Sequence, residues 1–264
     1  MNDSAQALPG VLAFAGLLLF ATAFLVPALR LARRWIPERE AAAARWELRE
    51  VLWVVLLTLF ATFVLGLMVG DAPLAPLLLT EAGQGIGVLW LVQRARARAG
   101  GLASLGLGPR ASGLAYLGGP LVFLPLFPFL LGVGGLWAHL AQSLGWSNQQ
   151  QVMELVKGLA GADLVVAAVL AVVVAPFLEE LLFRGFLQGV LSARYGARAG
   201  LLVTSAVFAL LHGLAGLPVL FALALFLGWL QQRSRCLWLP WSVHALNNGV
   251  VLALAFWQPS SYPP

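Results

Sequence analysis

The sequence predicts an all-α fold, a polytopic transmembrane helical bundle of about eight spans. Three observations predict it. Hydrophobic residues make up 61% of the 264 residues and charged residues 10%, with a mean hydropathy of +0.89; an ordinary soluble domain has about 45–50% apolar and about 25% charged residues. The apolar residues fall in runs of about 20 with no period-two alternation, the length a helix needs to cross a bilayer. The arginines gather in alternate gaps between these runs, as they do in cytoplasmic loops. Hydrocarbon cannot satisfy a free peptide group, so a spanning chain must be helical or form a closed barrel. The missing alternation selects helices.

Each span follows from its own run. Leu8–Leu29 lacks a basic leader and is longer than a signal-peptide core, so it reads as a retained span. Val51–Val69, Pro76–Val92 and Gly113–Leu136 follow. The stretch His139–Gly161 is the longest external segment. Ser147 and Gln150 fit a capping box there, opening an interfacial helix through Val156 that either covers the site or, the reading favoured, rests on the membrane surface. Leu164–Leu191 is the fifth span. Leu201–Leu214 and Leu217–Leu230 are short and joined by the Gly/Pro turn Gly213–Pro218. Leu237–Trp257 is the eighth, and the Pro-rich tail Gln258–Pro264 receives no structure. The chain reads as one membrane domain, with N-terminal spans over residues 1–112 and a motif-bearing core over residues 113–264.

Charge placement sets the expected orientation. Arg30, Arg33, Arg34, Arg39, Arg45 and Arg49 follow the first run, and Arg94, Arg96, Arg98 and Arg110 follow the third. Arg194 and Arg198 follow the fifth, and Arg233 and Arg235 the seventh. The opposite side carries Asp3, Asp71, Glu154, Asp163 and Lys157, and Glu81 falls in the outer part of the third span. Both termini are therefore expected outside the cytoplasm. The net charge of +5 is explained by these loops; no basic patch interleaved with aromatics points to nucleic acid. Cys236 is the one cysteine, which excludes an intramolecular disulfide and a cysteine-based zinc site.

Three runs carry polar groups inside a span: Pro176 to Arg184 with Glu179 and Glu180, Phe208 to His212, and His244 to Asn248. A charge at bilayer depth costs at least about 2.5–3.5 kcal/mol, so such groups are paired, functional or both. At about 1.5 Å per residue, Glu179 lies roughly 22 Å from Arg194, His212 roughly 21 Å from Arg198 and Asn248 roughly 20 Å from Arg235, with His244 roughly 13 Å from Arg235. Glu180 and Arg184 are spaced i,i+4 and can pair. Glu179 points about 100° away from that pair, and a carboxylate left without a partner on its own helix suits general-base work. His244 and Asn248 share a face and can donate hydrogen bonds to an oxyanion. Pro176 lacks an N–H, so the carbonyl of Val172 loses its helical partner. Taken singly, each group has a plain structural reading: Glu180–Arg184 as a buried ion pair, and His212, Asn247 and Asn248 as hydrogen bonds between helices. His139 and the tryptophans read as interfacial residues. The combination carries the functional reading.

Glu-Glu-x-x-x-Arg, Phe-x-x-x-His and His-x-x-x-Asn, at Glu179, Glu180, Arg184, Phe208, His212, His244 and Asn248, resemble the signature of the CPBP family of CAAX proteases and bacteriocin-processing proteins. Its eukaryotic relative is the type II CAAX prenyl protease of the endoplasmic reticulum. The resemblance covers about Ala160 to Trp257. It implies an intramembrane endopeptidase in the bacterial inner membrane, acting on a membrane-associated protein or peptide, prenylated or not. It further implies Glu179 and His212 as water activators, His244 and Asn248 as the oxyanion hole, and Glu180 as an auxiliary or structural acid, with Arg184 and Phe208 structural beside the site. No cofactor is expected. Were one Zn²⁺ bound, Glu179, His212 and His244 would hold it, although no His-Glu-x-x-His motif is present. The competing functions are a transporter, which would show discontinuous spans and inverted repeats, and an immunity or scaffold protein that binds without cutting.

Overall fold

The computed structural model describes residues 3–36, 38, 46–70, 72–108, 113–146 and 155–257, with side chains from 9 onward in the first helix and from 119 onward in the fourth. Arg39, Arg45, Arg110, Asp71, Glu154, the Ser147–Gln150 capping box and the tail Gln258–Pro264 lie outside the described residues. Among those described, all regular structure is helical: α1 Asp3–Trp35, α2 Leu48–Gly66, α3 Ala75–Arg96, a 3-10 turn Gly101–Leu105, α4 Gly113–Ser143, α5 Gly161–Tyr195, α6 Ala197–Leu211, α7 Leu217–Ser234 and α8 Trp238–Trp257.

Seven of these helices are long and apolar enough to cross a membrane. The exception is α6, with 15 residues. At about 1.5 Å per residue it spans about 22 Å, short of a hydrocarbon core of about 30 Å. It stops at Leu211, and the chain reverses through Gly213, whose φ of +85° suits a residue without a Cβ. The sixth and seventh runs thus form a helical hairpin turned at Gly213. Leu210, Leu211 and Leu214 are exposed there.

Helices pair through small residues, the usual solution where lipid supplies no hydrophobic drive. α3 lies on α2 through Gly83 and Gly87; a Cβ at Gly83 would stand 1.9 Å from Thr62 Oγ1. α1 lies on α4, and a Cβ at Gly135 would stand 2.2 Å from the Phe14 ring. One core joins α4, α7 and α8 with the end of α1, around Phe123, Leu126, Leu227 and Leu239. A second joins α2, α3 and α5, around Val88, Leu91, Leu178 and Leu181. Val156, expected in a helix lying on the membrane surface, is buried against Leu74, Leu77 and Ala167. Its apolar side chain gains more against the outer ends of α3 and α5 than at an interface, so this turn covers them.

The start of α2 and the end of α3 are clamped by a buried carboxylate. Glu50 is 2% exposed. Its Oε2 accepts the Glu47 N–H and Arg98 Nη1, each at 3.0 Å, and Arg98 Nη2 bonds its other oxygen. Arg98 also stacks over Trp46, with Cζ 4.4 Å from the ring centroid. Glu50→Ala is expected to lower stability by about 2 kcal/mol, the range for a hydrogen bond to a charged group. A larger loss is not expected, because Arg98 is partly exposed and can rehydrate. Thermal unfolding in detergent checks this; an unchanged midpoint would show that the clamp does not hold the two helices.

Candidate active site

The site is built on α5, which changes its winding twice. Leu170–Val174 and Leu181–Leu187 are π-helical, on either side of the α-helical stretch Ala175–Glu180. Pro176 is the local cause on the outer side, since its missing N–H cannot continue the ladder and a widened turn absorbs the mismatch. The released carbonyls are caught by α8. Asn248 Nδ2 donates to the Ala171 carbonyl at 2.9 Å, and Trp241 Nε1 donates to the Val173 carbonyl at 3.1 Å. The repair therefore falls one residue to either side of Val172. Trp241 and Trp238 also pack on the Phe177 ring, 6.2 and 5.7 Å between centroids, so these two tryptophans serve the site rather than the membrane interface.

Between the two π segments, the adjacent carboxylates diverge. Glu180 is fully buried. Its Oε1 accepts a hydrogen bond from His244 Nδ1 at 2.8 Å and lies 3.2 Å from Arg184 Nη1. Glu179 keeps slight exposure, 13% of its side chain, and faces two imidazoles: Oε1 lies 3.5 Å from His212 Nε2 and Oε2 3.8 Å from His244 Nε2. His212 is a third exposed and gives the cluster its opening. Its Nδ1 pairs with the Phe208 carbonyl at 2.7 Å, which turns Nε2 toward Glu179.

Phe208 is the hub of this arrangement. It is fully buried, with the Arg184 Cζ and the His212 ring each 4.4 Å from its ring centroid. His244 reaches it edge-on at 5.9 Å. A guanidinium over an aromatic face is stabilised by the ring quadrupole, more so once desolvated. Arg184 thus leans on Phe208 as well as on Glu180, and its Nη2 has no hydrogen-bond partner among the described residues.

The structure therefore brings Glu179, Glu180, Arg184, Phe208, His212 and His244 together from α5, α6 and α8. Asn248 stands one turn outward of His244, on the Ala171 carbonyl, and Asn247 Nδ2 reaches Asn248 Oδ1 at 3.3 Å. The depth ruler placed Asn248, not His244, level with Glu179. Sequence reasoning missed Trp241, and it missed Gln188, whose buried amide donates to the Gly228 carbonyl at 2.9 Å and ties α5 to α7. Among the described residues, no group of three or more His, Cys, Asp or Glu is arranged to hold a metal ion. No step below passes through a metal.

A polytopic helical membrane protein with a Glu–His cluster buried among three helices is the class that this fold and site define. Residues 161–250 match the family model described as Rce1-like, type II CAAX prenyl endopeptidase Rce1-like. That segment runs from the start of α5 into α8 and holds every motif residue from Glu179 to Asn248. No curated protein and no solved structure matches the chain.

Proposed function

We propose that the protein is an intramembrane endopeptidase that hydrolyses its substrate with a water activated by Glu179 and His212. The observation that supports this best is the Glu179 carboxylate set between two Nε2 atoms from other helices, beside a Glu180 already engaged. Water attacks the scissile carbonyl carbon, and its proton passes to Glu179, whose position His212 Nε2 fixes. The oxyanion is held by His244 Nε2–H and by the second N–H of the Asn248 amide, whose first is given to Ala171. His244 must then carry both ring protons, and Glu180 and Glu179 on either side are its counter-charges. Collapse breaks the C–N bond, and the proton returns to the leaving amine. The substrate is a membrane-associated protein or peptide that enters from lipid or from the cytoplasmic face, and we assign the protein to a bacterial inner membrane.

The test uses purified protein reconstituted in lipid, with an internally quenched farnesylated peptide as probe, in ¹⁸O-labelled water. One ¹⁸O should appear in the new carboxylate, and 1,10-phenanthroline should leave the rate unchanged. Chelator inhibition reversed by added Zn²⁺ would overturn the metal-free mechanism. An intact probe would favour the transporter or scaffold readings.

A further inference from the structure

The inner face of α3 carries a stripe spaced three and four residues apart: Leu77, Glu81, Gln84, Val88 and Leu91. Its apolar members have clear partners. Leu77 packs with Ala167 and Leu170 of α5. Val88 and Leu91 pack with Leu178 and Leu181 of α5. Glu81 and Gln84 lie between these residues along α3, and Glu81 is within electrostatic range of Glu179. Gly83 and Gly87 occupy a different face, against Thr62 and Thr58 of α2.

These two polar residues are unexplained by packing. Glu81 Oε2 and Gln84 Oε1 are buried, and neither accepts a hydrogen bond within the described residues. Both are acceptors, so what they lack is a donor. An endopeptidase working in a bilayer creates that donor. The peptide bond to be cut must leave helical structure, which frees backbone N–H groups where no water can satisfy them.

We propose that Glu81 and Gln84 form a substrate-binding subsite beside Glu179 that accepts hydrogen bonds from the backbone N–H groups of the extended substrate segment. This rests on the endopeptidase reading above. It also gives α3, which lies outside residues 161–250, a part in the site. The subsite is selective for an unwound peptide rather than for particular side chains.

The test compares the parent protein with Glu81→Leu and Gln84→Leu, full length and reconstituted. A partnerless acceptor replaced by an apolar side chain should leave the thermal midpoint unchanged or raised. The same change should raise KM for the quenched peptide about tenfold, the upper end expected for losing one hydrogen bond, with kcat little altered. N-methylation of amides flanking the scissile bond should weaken binding to the parent protein but add little in Glu81→Leu. Affinity is also read by fluorescence anisotropy on a Glu179→Gln background, where cleavage does not interfere. A lowered midpoint in Glu81→Leu, or equal peptide affinity with and without Glu81, overturns the subsite. So does a loss reproduced by changing a basic probe residue to norleucine, which would make the ligand a side chain. Cleavage surviving Glu179→Gln alone would sink the proposed base and leave the KM comparison standing.

Discussion

Glu179→Gln is expected to reduce cleavage by about 10²–10⁴-fold, the range attributed to a general base, while the protein still folds and inserts. Gln keeps the shape and can still hydrogen-bond His212 and His244, but it cannot take a proton from water. Glu179 retains some exposure beside the opening at His212, so its replacement disturbs little packing. Turnover of the quenched peptide and the thermal midpoint, measured on the same preparation, check both halves. Retained turnover would move the base to Glu180 or end the hydrolase reading. The geometry argues against Glu180: it is fully buried and already engaged by Arg184 and His244. Changing Glu180 should act instead through the aim of His244.

The membrane fold was legible because its signal is spread over every span. Apolar run length, arginine placement and the Gly213 turn each point to the same helices, and each run appears as one. The sixth and seventh runs appear as α6 and α7, although α6 ends at Leu211, a boundary that hydropathy does not record. Of the site, the spacing of Glu180 and Arg184 on one helix foretold their pairing. The Glu180–His244 bond could not be foreseen, because two helices 64 residues apart must first pack before Nδ1 finds a carboxylate. The π segments were equally hidden: Pro176 announced a broken ladder, but which carbonyls would be freed depended on where Asn248 and Trp241 arrive. Phe208 illustrates the same limit. The motif marked it as structural beside the site, but its contacts with Arg184 and His212 exist only once α5 and α6 have packed.

Arg184→Ala is expected to lower stability by about 3–5 kcal/mol, as breaking one side of a buried ion pair does, and by more than Glu179→Gln. Arg184 and Glu180 are both essentially inaccessible, so neither can rehydrate without opening the bundle, unlike Arg98 beside Glu50. The cation also rests on Phe208, so its removal opens space against the aromatic hub as well. His244 tempers the loss: bonded to Glu180 through Nδ1, it remains as a partner of that carboxylate. The double change Arg184→Leu with Glu180→Leu removes both charges together and should recover part of the stability. It should not recover activity, because His244 then has no acceptor to fix which way Nε2 points. Thermal midpoints of the single and double variants, with peptide turnover beside them, separate these effects. A double variant no more stable than Arg184→Ala would show that the two charges are not coupled. Full turnover in the double variant would show that Glu180 does not aim His244.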